Sequence, residues 1–180
     1  MKRIILFAVV MVLCATPALA QVSGGHLYSA GLSGVALLVT PGTTDFTGLV
    51  LGSTYSAVPD GAGSAVLSPI NFGEAVAVVP SNILGDLGAL VLVSFTLPAN
   101  LQGVVSGRTV GIGFNALSAA WGSTGAETNF FDPHSPVTVI LDGGGSCDIV
   151  LGGVVTVPNN ADPTDTYTGQ VVVTASYTGL

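Results

Sequence analysis

Glycine and proline interrupt almost every stretch of twelve residues in this chain after Gln21. The sequence holds 25 Gly and 10 Pro among 180 residues, and both residue types destabilise the interior of a helix. Apolar residues after Gln21 do not recur at the 3.6-residue period of a helix, and β-branched residues dominate the apolar runs. The chain is therefore expected to be all-β.

Two segments show the two-residue alternation of a strand. In the stretch 88–97, one face is wholly apolar and consists of Ala89, Val91, Val93, Phe95 and Leu97. In the stretch 167–177, apolar residues such as Val173 and Ala175 alternate with polar residues such as Thr174. The second pattern is typical of a half-buried strand with a polar outer face.

Further strands are predicted where apolar runs lie between turn residues. These runs are 34–40, 48–58, 64–69, 74–79, 108–114, 136–141 and 148–157. Turn sequences such as Pro41-Gly42 and Pro59-Asp60-Gly61 separate them. About seven to ten short, mostly antiparallel strands in a region of this length favour one β-sandwich at 34–180 with Greek-key, immunoglobulin-like connections.

The first 20 residues have the pattern of a signal peptide. Lys2 and Arg3 precede an apolar run, and Ala18-Leu19-Ala20 supplies the small residues of a cleavage site. The run has about 12 residues, whereas a membrane-spanning helix needs about 20. We therefore predict cleavage after Ala20, a flexible segment at 21–33, and no integral membrane segment in the mature chain. The expected location is the extracellular space or the cell surface, with the periplasm as the alternative.

Removal of the first 20 residues leaves an acidic chain with one cysteine. Arg108 is then the one basic residue against ten Asp and Glu, which gives a formal charge of −9. Nucleic-acid binding is excluded, because no basic cluster is present to neutralise phosphates. Cys147 has no partner for an internal disulfide. It is interpreted as a small buried residue, with an intermolecular disulfide as the alternative.

The sequence shows no arrangement typical of a catalytic site, and neither an enzyme nor a cofactor is expected. Asp132, His134 and Ser135 are the residue types of a catalytic triad. A triad, however, needs side chains that converge from separate elements, and adjacency in sequence does not supply this. Acidic residues such as Glu74 and Glu127 are scattered, and nothing marks a carboxylate pair.

Two weak binding candidates remain. Calcium prefers hard oxygen ligands, and one loop offers them at Asn159, Asn160, Asp162 and Asp165. The same residue types form ordinary turns, so the loop alone predicts no metal site. Trp121 is a candidate for stacking on a sugar ring, although a lone aromatic residue is more often part of a core.

The last third of the chain combines a Gly-Gly strand with a closing strand that begins at a Tyr. Leu151-Gly152-Gly153-Val154-Val155-Thr156-Val157 is followed, after a polar loop, by Tyr167-Thr168-Gly169 and an alternating stretch. Upstream, Val93-Ser94-Phe95-Thr96-Leu97-Pro98 runs into Leu-Pro. These features resemble a family of exported bacterial domains of unknown function, numbered four-four-zero-two, from whose pattern Asp165 and Asp45-Phe46-Thr47-Gly48 depart. The resemblance implies a pilin-like or adhesin-like extracellular β-sandwich of unknown partner, with no catalytic residue to carry over.

The sequence thus favours a secreted, non-catalytic structural or adhesive subunit of the cell surface, similar to a pilin. Its expected partners are further copies of itself or other cell-surface components. The alternative is an extracellular lectin-like module that binds a ligand. The apolar strand at 34–40 is expected to pair within its own domain, with addition to a neighbour's sheet edge as the alternative.

Overall fold

The computed structural model describes residues 21–23, by their backbone alone, and residues 35–178. This part of the chain contains strands and no helix, which confirms the all-β class. The strands are β1 (Gln21–Ser23), β2 (Leu38–Thr40), β3 (Thr43–Thr47), β4 (Thr54–Pro59), β5 (Ala65–Ser68), β6 (Ala75–Val79), β7 (Ser81–Leu84), β8 (Leu90–Thr96), β9 (Asn100–Gly103), β10 (Thr109–Gly113), β11 (Ala119–Ser123), β12 (Ala126–Phe131), β13 (Val137–Ile140), β14 (Ser146–Leu151), β15 (Gly153–Thr156), β16 (Tyr167–Thr168) and β17 (Val172–Tyr177). Within these residues, nothing helical has the length and apolar character needed to span a membrane.

Two antiparallel sheets pack face to face as a β-sandwich. Their strand orders are β1-β17-β8-β13 and β12-β11-β14-β7-β2. Val91 and Val93 of β8 and Val173 and Ala175 of β17 point into the core between the sheets and are buried. The alternation in these two strands was therefore predicted correctly. The buried residues of this first core are Leu37, Val39, Ile83, Val91, Val93, Val139, Leu141, Cys147, Ile149, Val173 and Ala175.

A second core lies against a six-stranded antiparallel sheet with the order β16-β9-β10-β15-β4-β5. The separate two-stranded sheet of β3 and β6 also packs on this core, through the paired residues Phe46 and Val76. The buried residues of this second core are Tyr55, Ala57, Leu67, Val110, Val155, Val157 and Ala161. Burial of these side chains stabilises the second half of the fold in the same way as the first.

The chain crosses from one core to the other at Gly152-Gly153. β14 pairs with β11 and β7 in the sandwich, and β15 continues it between β10 and β4 in the six-stranded sheet. Gly153 has a φ of 142°, which other residues rarely adopt, and a Cβ on Gly152 would overlap the carbonyl oxygen of Ala57. The prediction of one continuous strand at 148–157 is therefore wrong, because the two glycines bend the chain between sheets.

The described residues hold 17 strands rather than the seven to ten expected. β9, β11 and β12 consist mostly of small or polar residues, so apolar alternation did not reveal them. Within the described residues 35–40, only Leu38–Thr40 is a strand, and it pairs with β7 of the same chain. Leu37 and Val39 are fully buried in the first core. This strand therefore pairs within its own domain, as predicted.

The N-terminal predictions fall mostly outside the described residues. Residues 21–23 belong to the segment predicted as flexible, and they form β1, which pairs with β17 at the edge of the sandwich. The predicted signal peptide at 1–20 and the stretch 24–33 lie outside the described part of the chain. The Greek-key, immunoglobulin-like connectivity stays a prediction.

Candidate binding cleft

An open cleft with a volume of about 1000 Å³ runs between β3 and β16. One wall is the stretch 41–49, which contains β3, and the opposite wall is the stretch 162–171, which contains β16. The floor is apolar and comes from β10, β14 and β15. Its half-buried side chains include Ile112 of β10 and Leu151 of β14, whereas Val110 and Val155 are buried in the second core. We call this feature the β3–β16 cleft.

Both walls of the cleft are strand edges with which no strand in the described part of the chain pairs. Among the described residues, β3 pairs only with β6, and β16 pairs only with β9. All five residues of β3 line the cleft, although their side chains alternate between exposed and half-buried. The N–H and C=O groups along such an edge are free to bind another strand.

The interior of the cleft is lined by half-buried apolar side chains from several strands. Phe46 comes from β3, Leu101 from β9, Ile112 from β10 and Tyr167 from β16, and all four also pack against the second core. The Oη of Tyr167 accepts the N–H of Asp162 at 2.6 Å, which fixes the loop before β16. These side chains offer apolar contact to whatever lies between the two walls.

Hydrogen bonds to the sandwich hold the β3 wall in place. The hydroxyl of Thr44 donates to the carbonyl oxygen of Leu151, at the end of β14. The N–H of Gly42 donates to the Oγ of Ser81 in β7 at 2.9 Å. One of these bonds uses the side chain of Thr44 and the other uses the N–H of Gly42, which precedes β3. Neither bond occupies a backbone group of β3 itself.

The charged residues that line the cleft are all acidic. They are Asp45, Asp162 and Asp165. Hydrogen bonds from the hydroxyl and the N–H of Ser106 lower the pKa of Asp165 to about 2. Hydrogen bonds from Thr164, together with the nearby positive charge of Arg108, lower the pKa of Asp162. Arg108 does not line the cleft, and its guanidinium donates to a backbone carbonyl of the neighbouring loop. The rim of the cleft is thus negative at neutral pH.

The loop singled out as a weak calcium candidate uses its oxygens to form turns. Oδ1 of Asp162 accepts the N–H of Thr164 at 2.9 Å, and the carboxylate of Asp165 is bound by the turn between β9 and β10. The carbonyl oxygen of Asn160 accepts from a guanidinium, and the amide of Asn159 lies against the loop before β4. Within residues 35–178, no three His, Cys, Asp or Glu side chains come together as metal ligands would.

Trp121 lies on β11 and packs against the first core, so its indole is half-buried. Phe131 on the neighbouring strand also packs there, and its ring centroid is 5.7 Å from that of Phe95. Phe130, by contrast, is exposed. Trp121 therefore presents only part of its surface to a ligand.

Asp132 and His134 form an exposed pair in the turn after β12. The carboxylate of Asp132 accepts the N–H of His134 at 3.0 Å and lies 2.7 Å from its Nδ1. The backbone hydrogen bond is the main cause of a lowered pKa of Asp132. A further hydrogen bond, from the N–H of Ser135 to the carbonyl of Asp132, closes the turn. The pair thus stabilises a surface turn.

Cys147 and Glu127 lie outside the cleft and are fully buried. Cys147 lies in the first core, and burial raises the pKa of its thiol to about 12. The interpretation of Cys147 as a small buried residue is confirmed. Oε1 of Glu127 accepts the N–H of Gly125 at 2.8 Å, whereas Oε2 has no hydrogen-bond partner among the described residues.

Sequence reasoning did not identify the cleft, although two of the weak calcium candidates, Asp162 and Asp165, line it. Tyr167 marked only the start of a predicted strand, and Phe46 lies in a short polar segment, Thr43–Thr47, that was not predicted as a strand. The cleft exists because two strands distant in sequence end up opposite each other without pairing. The one local signal was an aromatic residue in each of these short polar segments.

Comparison of the chain with known protein families, with curated proteins and with solved structures finds no match. The resemblance to family four-four-zero-two therefore stays a prediction.

Proposed function

We propose that this chain is an exported, non-catalytic structural or adhesive subunit of the cell surface, and that it holds an extended segment of another polypeptide in the β3–β16 cleft. The observation that carries the proposal is the position of two strand edges, unpaired within residues 35–178, on opposite sides of an apolar floor. A strand that enters such a cleft gains main-chain hydrogen bonds and buries its alternate side chains. Export is supported by the basic start and apolar run of the first 20 residues.

A small apolar ligand is the second candidate occupant, and it would make the chain a ligand-binding module. The cleft volume of about 1000 Å³ lies at the upper end of the range for small-molecule sites. The aliphatic floor suits an apolar molecule better than a sugar, because sugars need several polar partners. A polypeptide uses both the floor and the strand edges, whereas a small molecule uses the floor alone.

The test of the proposed function blocks the cleft without removing the protein. Leu101→Trp places a larger side chain inside the cleft, and the control Leu117→Trp adds the same side chain at an exposed position outside it. A strain that lacks the gene is complemented with each variant, and surface assembly is followed by immunogold electron microscopy and by adhesion of the cells. Circular dichroism establishes that each variant is folded.

The expected result is that the wild-type chain and Leu117→Trp restore surface assembly and adhesion, while folded Leu101→Trp does not. If both variants restore them equally, the cleft has no role in assembly and the proposed function is wrong. Binding of a small apolar molecule that Leu101→Trp abolishes, with assembly unchanged, would establish the ligand-binding module instead.

A further inference from the structure

The acidic rim of the cleft specifies the charge of its occupant. Asp45 is the central residue of β3, and its side chain lies on the solvent face together with Thr43 and Thr47. If another strand pairs with the free edge of β3, every second side chain of that strand lies on this same solvent face. The nearest of these side chains lie beside Asp45. Opposite charges across neighbouring strands are favourable, and like charges are unfavourable. The outward positions of the occupant are therefore suited to Lys or Arg.

The inward positions of the occupant face the apolar side chains of the cleft. Phe46 alternates with Asp45 along β3 and points to the second core. Leu101 and Tyr167 approach from the opposite wall. Because successive side chains of a strand point to opposite faces, the matching occupant alternates between apolar and basic residues.

A second copy of this chain does not have this composition. Beyond residue 20 the chain has ten acidic residues and Arg108 as its one Lys or Arg. Two copies therefore repel each other, and the repulsion is greatest at an acidic rim. The apolar strand around Val39, the segment best suited to donation, is already buried in its own core.

These observations converge on one occupant, and the inference rests on the proposed function. We infer that the β3–β16 cleft accepts one β-strand from a separate, basic polypeptide, in which apolar residues alternate with Lys or Arg. The apolar residues lie on the floor of the cleft, and the basic residues lie beside Asp45 on the solvent face.

The experiment measures binding of synthetic heptapeptides to the purified exported chain by fluorescence anisotropy. The probe is Lys-Val-Lys-Val-Lys-Val-Lys. The first control, Lys-Lys-Lys-Lys-Val-Val-Val, has the same composition without alternation. The second control, Glu-Val-Glu-Val-Glu-Val-Glu, has the opposite charge. The third, Gly-Val-Ala-Leu-Leu-Val-Thr, copies residues 34–40 of this chain and stands for a second copy.

The alternating basic peptide is expected to bind at least about tenfold more tightly than each of the three controls, with an affinity that falls as salt is added. Asp45→Asn should weaken its binding about two- to fivefold, as an exposed ion pair predicts. Asp132→Asn makes the same change of charge at a residue that does not line the cleft and should leave binding unchanged. Hydrogen exchange should show new protection at the amides of β3 and β16.

Each other result overturns the inference in a distinguishable way. If Lys-Lys-Lys-Lys-Val-Val-Val binds as tightly as the alternating basic peptide, the charges attract the peptide but no strand is added. If Glu-Val-Glu-Val-Glu-Val-Glu binds as tightly, the charge of the occupant has no role. Tighter binding of the 34–40 peptide, with protection of β3, assigns the cleft to a second copy and leaves the proposed function intact. If no peptide protects β3 while Leu101→Trp still abolishes surface assembly, the basic strand is wrong and the cleft serves another partner.

Discussion

The phenol of Tyr55 donates a hydrogen bond of 3.0 Å to Oε1 of Glu74, and both side chains are buried. Tyr55 lies on β4, whereas Glu74 immediately precedes β6. Oε2 of Glu74 accepts the N–H groups of Asn71 and Phe72 at 2.8 and 2.6 Å. The pair therefore ties the loop between β5 and β6 to the six-stranded sheet. Because β6 pairs with β3, the same hydrogen bond also holds the β3 wall of the cleft in place.

Tyr55→Phe removes this hydroxyl and leaves a buried carboxylate oxygen without its donor. We expect Tm to fall by about 5 °C and the amides of β3 to exchange faster. Differential scanning calorimetry and hydrogen exchange measure the two effects. Phe72→Leu, at an exposed position of the same loop, should change neither. A stable Tyr55→Phe variant with unchanged exchange would show that the wall is held by other contacts.

Acid should weaken the fold through Glu74 and Asp165. Backbone N–H groups at Phe72 and the hydroxyl of Ser106 are the main causes that lower their pKa values to about 2. Since these values lie below the roughly 4 of an unfolded carboxyl, the stabilisation is complete above about pH 4 and is lost as the pH falls from there toward 2. Urea unfolding at a series of pH values measures this loss.

Two variants test that assignment of the acid effect. Asp165→Asn should be less stable at pH 7 and should lose less stability between pH 4 and pH 2 than the wild type, because one titrating group is gone. Ser106→Ala keeps the carboxylate but removes its first donor, so the pKa of Asp165 in the folded protein should rise, and the loss of stability should be smaller and complete at a higher pH. If the free energy of unfolding falls with pH in the same way in the wild type and both variants, Asp165 does not contribute to the acid effect.

Cys147 should be unreactive in the folded protein. It is fully buried, and burial raises the pKa of its thiol to about 12, so almost no thiolate is present at pH 8. A disulfide reagent should label no thiol in the native mature chain and one thiol per chain in urea. Cys147→Ser should cost about 1–3 kcal/mol by placing a hydroxyl in the core. Rapid labelling of the native protein would favour the intermolecular disulfide instead.

Gly152→Ala should be strongly destabilising, because the new Cβ overlaps the carbonyl oxygen of Ala57 and neither backbone can move independently. Gly143→Ala is the matched control: no atom lies within 4 Å of its added Cβ. We expect the control to stay within about 0.5 kcal/mol of the wild type, whereas Gly152→Ala loses several times as much or fails to fold. Urea unfolding compares them, and equal stabilities would refute the close approach.

Glu127→Gln should raise Tm, because it removes a charge from a fully buried side chain with one unpartnered oxygen and keeps an acceptor for Gly125. The contrasting variant is Glu74→Gln, in which every oxygen of the native side chain has a donor. That variant should lower Tm. Loss of stability in Glu127→Gln would mean that its carboxylate has a partner outside the described protein atoms, such as a bound water.

The sequence predicted the strands whose burial is visible as a local alternation of apolar and polar residues. Alternation in β8 and β17 placed Val91, Val93, Val173 and Ala175 on one buried face each, because burial on one side of a strand imposes a period of two. β11 carries Ala, Gly and Ser beside Trp121, so its pattern contains no such signal. The sheet places it between β12 and β14, and this burial comes from neighbours distant in sequence.

The cleft depends on which strands fail to pair, and this could not be predicted from any one segment. Thr43–Thr47 has the composition of a turn, yet it pairs with β6 and presents Phe46 to the second core. The family-like features around Gly152-Gly153 indicated a strand, but not that the strand changes sheets there. Both outcomes follow from tertiary contacts that override local preference.

The pairing of β1 with β17 sets how the fold responds to pulling. Gln21 lies opposite Ser176, and Ser23 lies opposite Thr174. Tension applied to the chain at Gln21 and Tyr177 therefore acts at the same end of this antiparallel pair. The hydrogen bonds then break one after another rather than together, so β1 peels from the edge at low force. Under load, the chain lengthens first at this strand, while both cores remain intact.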